Sequence, residues 1–151
     1  MLTPEETLRQ AHLVMNALGG AISDDEDMVN TNMNALAECG WPALFGATLG
    51  FAEAVKKVAG VELDEGEFFG LLAFNTETGE PCDISDMDLP PEMVTAARIF
   101  TANANGDHRT AGDLFFAAVD QGIGNEVVSA ALALASTYLA AEIERRETPS
   151  T

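Results

Sequence analysis

The sequence predicts an all-α protein: about six helices in two three-helix units related by a pseudo-twofold axis, with an acidic irregular insert between them. Three observations carry that reading. Apolar residues recur at three- and four-residue spacing along most of the chain, as one buried helix face requires. Pro, Ser, Thr and acidic residues gather where those stretches begin, and Gly stands where they end. The order helix, loop, helix, Gly, long apolar helix also occurs twice. At 151 residues the chain suits a single domain, with repeat-like halves at 3–60 and 89–146 and the insert at 61–88.

Helix 1 opens at Thr3-Pro4-Glu5-Glu6. Thr3 caps, Glu6 closes a capping box, and Pro4 fits a first turn because its missing N–H would be unpaired there. Leu8, Ala11, Met15 and Leu18 form the expected buried stripe, and Gly19-Gly20 the expected end. His12 lies one position off that stripe and reads as structural. Ser23-Asp24-Asp25-Glu26 predicts the start of helix 2, with Ser23 as cap and Glu26 completing a second box. The acid run at 24–27 is read as first-turn carboxylates favoured by the helix dipole rather than as a metal cluster. Helix 2 buries Val29, Met33 and Leu36 and stops at Gly40.

Helix 3, from Trp41 to Gly60, is the centre of the plan. Pro42 suits its start, Lys56 and Lys57 the negative end of its dipole, and Gly60 a left-handed cap. Leu44, Thr48, Phe51, Val55 and Ala59 share one face, and Trp41, Phe45, Leu49 and Ala52 widen it. Gly46 and Gly50 form a GxxxG pair, which predicts close approach to helix 6 near Ala130, Ala131 and Ala133.

In the insert, Asp64 is positioned to cap a short helix carrying Phe68, Phe69, Leu71 and Leu72. Thr76 to Pro81 is a turn, and 72–75 with 82–85 make a small hairpin. Helix 4 starts at Pro91-Glu92 with Met93, Ala97, Phe100 and Ala104 on one face, and ends before the turn Asn105-Gly106-Asp107. Helix 5 runs from about Thr110, paired with Asp113 as a cap, to Gln121. Its apolar residues are Leu114, Phe115, Ala118 and Val119. Helix 6 runs from Asn125 to Arg146, leaving 147–151 as a frayed tail. Asn16-Ala17-Leu18-Gly19 resembles Asn103-Ala104-Asn105-Gly106, and Ala35 to Trp41 resembles Ala117 to Ile123. Those two matches suggest the duplication.

Composition bounds the function. The chain is 47% hydrophobic, which argues for a packed core, yet its net charge is −18 with only seven basic residues. Direct nucleic-acid binding through phosphate contacts is disfavoured by that charge. Val127 to Ala141 is uncharged but only 15 residues long, which is short of the ~20 needed to span a bilayer, so a core helix and no membrane association are expected. The acidic N-terminus has no apolar signal region, and a cytoplasmic location is expected. Cys39 and Cys82 lack metal-type spacing and are expected to be buried free thiols.

No phosphate loop, dinucleotide fingerprint or nucleophile elbow is present. Residues 101–112 depart from a calcium loop where it needs acids, having Thr101 and Gly112 there. Asp83, Asp86 and Asp88 read as a solvated acidic loop. The expectation is therefore a non-enzymatic interaction protein with no cofactor and no metal. Its candidate partner-binding residues are Glu62, Asp64, Glu65, Glu67, Phe68, Phe69, Glu77, Glu80, Asp83, Asp86 and Asp88, facing a basic surface on another macromolecule. One version is a nucleic-acid mimic that blocks a nucleic-acid-binding protein. The alternative is a structural protein that self-associates as a homo-oligomer through its apolar helices.

Overall fold

The computed structural model describes residues 3–59 and 90–147, whose regular structure is all helical: α1 (Pro4–Ile22), α2 (Glu26–Glu38), α3 (Trp41–Ala59), α4 (Pro91–Ala104), α5 (His108–Asp120) and α6 (Gly124–Glu147). The short helix and hairpin expected between 61 and 88 lie outside the described residues. No strand occurs among the residues described.

Helices α1 and α2 form one antiparallel hairpin, α4 and α5 another, and α3 packs along α6. In addition, α1 reaches α6, and α4 reaches α3. The core lies where these meet and centres on Phe51, Phe100, Phe115, Leu36, Ile99, Val55 and Val127, all fully buried. The helix 3 face came out as the spacing predicts: Leu44, Thr48, Phe51 and Val55 are all buried. Thr48 sits there because its hydroxyl donates to the Leu44 carbonyl at 2.9 Å, which satisfies the polar group inside its own helix.

Helix ends depart from the sequence reading at four places. First, α1 does not stop at Gly19-Gly20 but continues to Ile22. Gly20 is a packing position there, since a Cβ on it would stand 3.0 Å from the Met28 side chain of α2. The left-handed residue that ends α1 is Asp24, with φ 56°. Second, the cap of α2 is Asp25, whose carboxylate accepts the Met28 N–H at 3.1 Å. Ser23 instead turns its hydroxyl onto the Gly19 carbonyl. Third, α5 is capped by Asp107 and not by Thr110. The Asp107 carboxylate accepts both the N–H of Thr110, at 3.1 Å, and its hydroxyl, at 2.6 Å. Fourth, α6 reaches Glu147. At the second and third of these ends an Asp lies two or three residues from the expected cap, and its carboxylate is as good an acceptor as a hydroxyl.

The two hairpin corners close alike. The Asp25 N–H donates to Gly20 O at 2.8 Å, and the Asp107 N–H to Ala102 O at 2.8 Å. Each is the six-residue bond of a Schellman turn, which satisfies carbonyls that the helix end leaves free.

Helix α1 differs most from expectation in its buried face. Of Leu8, Ala11, Met15 and Leu18, only Leu18 is buried, and Val14, Ala17 and Gly20 complete the core side. Leu8 and Met15 are 58% and 62% exposed. Helix 1 is apolar on two sides, so spacing alone does not say which side faces the core.

Candidate functional site: an apolar groove between α1 and α3

None of the expected partner-binding residues between Glu62 and Asp88 lies within the described part of the chain. Neither does Cys82. Cys39 is exposed, contrary to expectation, because the last turn of α2 faces outward there. Its thiol donates to the Ala35 carbonyl at 3.4 Å. His12 and His108 are both exposed. Among the described residues, no three His, Cys, Asp or Glu side chains converge as a metal site would require. The acid run 24–27 is solvent-exposed at the α1–α2 corner.

The surface that sequence reading missed is a groove of about 450 Å³ between α1 and α3. Val14 and Met15 stand on the α1 side. Gly46, Gly50 and Ala54 line the α3 side, and Glu53 and Lys57 stand at one end. Gly50 is explained by packing within the chain: a Cβ there would be 3.0 Å from Val14 Cγ1, so its absence lets α1 come close to α3. At Gly46, by contrast, nothing among the described residues lies within 4 Å of where a Cβ would be, and a helical Gly costs about 1 kcal/mol relative to Ala. The expected approach of this pair to Ala130, Ala131 and Ala133 is therefore not made: α3 and α6 pack together, but the GxxxG faces α1 and solvent. The one available signal was that helix 1 carries too many apolar residues, Leu8, Leu13, Val14, Met15 and Leu18, for a single stripe.

Two other surfaces bear on interaction. Trp41 and Phe45 of α3 meet Phe115 and Phe116 of α5, with ring centroids 5.2–6.2 Å apart. Phe116 is 40% exposed at the edge of that cluster. A second groove, of about 640 Å³, runs between α2 and α6 and mixes Val29, Met33 and Leu132 with Asn30, Asn34 and Ser129. In α6, Gly124–Glu144 is long and apolar enough to cross a membrane by length and composition, and 39% of its most apolar window is buried within the molecule. Val127, Val128, Ala130, Ala131, Leu132, Ala135 and Leu139 are among its buried residues.

Comparison of the chain with protein-family models, with curated proteins and with solved structures gives no match in any of the three.

Proposed function

We propose that this is a non-enzymatic, cytoplasmic interaction protein in which a helical scaffold holds an acid-rich segment toward a basic surface on another macromolecule. The observation that carries the reading is the placement of charge. Nine of the 25 acids and none of the seven bases fall within residues 60–89, so half of the net −18 is concentrated in that stretch. The two helices that flank it in sequence, α3 and α4, pack on each other. Charge complementarity of this kind raises association rate and selects partners. Phe68 and Phe69 supply the apolar anchor that affinity needs besides charge. A nucleic-acid-binding protein is one partner with the matching basic surface.

The test is capture from native lysate at low and high salt, read by mass spectrometry, with the triple reversal of Asp83, Asp86 and Asp88 to Lys as comparison. A basic partner retained only at low salt, and lost with the triple variant, is the expected result. Unchanged capture by the variant removes the segment as the interface.

A second reading is self-association as an assembly protein, favoured by the exposure of Leu8 and Met15 beside an apolar groove. A pseudo-twofold duplication also belongs to this proposal. Three observations support it: α2 and α5 are each 13 residues long, their corner hydrogen bonds recur 82 positions apart, and Gly40 and Gly122 follow them in the left-handed conformation, with φ 95° and 80°.

A further inference from the structure

We infer that the α1–α3 groove is where two copies of this chain meet about a twofold axis, an inference that rests on the self-association reading above. The argument begins with charge. A second copy carrying −18 is repelled by most of this surface. The groove is the exception: among the described residues, Glu53 and Lys57 are the only charged ones lining it, and their charges balance. A basic partner gains nothing there, whereas a like copy meets no repulsion from the groove lining itself.

Shape gives the second argument. A twofold interface must be self-complementary, with a knob and a hole on the same face. Met15, 62% exposed, is the knob on α1, and Gly46, open above its Cα, is the hole on α3. A twofold axis between them seats Met15 of each copy against Gly46 of the other. That supplies a contact for Gly46, beside which no described residue of its own chain stands.

Area sets the expected strength. Helices α1 and α3 are 19 residues each and therefore about 28 Å long, and a face two helices wide measures roughly 20 Å across. The groove itself takes in only residues 7–15 of α1 and 43–57 of α3, so it offers on the order of 700 Å² for the pair of copies, below the size of a standard specific interface. The dimer is accordingly weak, with dissociation in the micromolar range of roughly −8 kcal/mol or less favourable.

Sedimentation velocity over a concentration series of the full chain up to roughly 500 µM, at low and high salt, tests this. The expected result is a monomer–dimer equilibrium that tightens as salt rises, because salt screens the repulsion between copies. Met15→Glu, at an exposed site, weakens it on the order of 100-fold, since it places two carboxylates in the interface. Gly46→Leu weakens it by about tenfold or more by filling the hole. Gly19→Ala, a solvent-facing helical glycine outside the groove, leaves it unchanged. A wild-type monomer at every concentration and salt overturns both self-association and this interface, as would be found if residues 60–89 or an unlike partner filled the groove. Self-association that persists in both groove variants keeps the assembly reading and overturns the interface alone.

Discussion

The six-membered ring of the Trp41 indole stands against Gly124: a Cβ added at Gly124 would stand 2.8 Å from both Cη2 and Cζ3 of the ring, and 2.9 Å from Val119 Cγ2. This contact locks the start of α3 to the start of α6. The Trp41 ring also meets Phe115 edge-on at 6.2 Å, which ties α5 into the same joint. Gly124 is buried, and neither the indole nor Val119 is the far end of a flexible chain. Gly124→Ala should therefore destabilise the fold by about 1–3 kcal/mol through overpacking, against the gain of about 1 kcal/mol that Gly to Ala brings in an open helix. Gly19→Ala, with no described residue within 4 Å of the added Cβ, should show that gain. Urea unfolding followed by the fluorescence of the single Trp measures both. Equal effects at the two sites would show that the ring yields.

Asp24 occupies a position that glycine fills elsewhere in this chain. At Gly40, Gly106 and Gly122 a left-handed glycine follows the helix end, and at the α1–α2 corner an aspartate with φ 56° does so. The left-handed conformation costs a non-glycine residue roughly 1–2 kcal/mol, part of which glycine gives back in chain entropy. Asp24→Gly is expected to stabilise the protein by about 0.5–1 kcal/mol, a rise in Tm of roughly 1–4 °C for a chain of this size. Asp24→Asn separates this from charge relief, because Asn tolerates the same backbone but removes the carboxylate from the acid run. A gain as large in the Asn variant would assign the effect to charge.

Asn103 is 4% exposed, and its Nδ2 donates to Oε2 of half-buried Glu53 at 3.1 Å, joining α4 to α3. Its removal takes a donor from a carboxylate that solvent reaches only partly. Asn103→Ala should cost about 1–3 kcal/mol. A double-mutant cycle with Glu53→Gln, which keeps an acceptor and removes the charge, should return a coupling of about 1 kcal/mol. A coupling indistinguishable from zero would mean that Asn103 stabilises through packing alone.

The fold was legible wherever one physical rule acted without a rival. Leu44, Thr48, Phe51 and Val55 lie on one helix face and in the core, because α3 is covered along that side. Pro4 and Pro91 open helices, and Gly40 and Gly122 close them. Reading failed where two residues could satisfy the same rule. Ser23 and Asp25 both have the oxygen to cap α2, and Thr110 and Asp107 both have it for α5. The backbone turn chose the aspartate each time, and that choice depends on how the preceding helix ends. The side of α1 was ambiguous for a related reason, since Leu8 and Met15 follow helical spacing as well as Val14 and Leu18 do. The groove was not legible because it depends on which side of α1 faces α3, and sequence periodicity does not encode that.

Asp107 links one of these choices to pH. Its carboxylate accepts the hydroxyl and the N–H of Thr110, and those two hydrogen bonds, in that order, hold its pKa below the ordinary carboxylate value, with Arg109 and His108 adding smaller attraction. Because the folded pKa is depressed, the stability that Asp107 contributes is fully present above the unfolded carboxylate pKa, about 3.9. It is lost as pH falls through the folded pKa below that. At neutral pH, Asp107→Ala should unfold at lower temperature than wild type, and the gap between them should close as pH drops below about 4. Asp107→Asn caps without a charge, so its own gap from the Ala variant should stay constant across the same range. Thermal melts of the three proteins between neutral and acid pH decide it. A wild-type advantage over the Ala variant that persists undiminished in acid would mean that the charged carboxylate is not what caps α5.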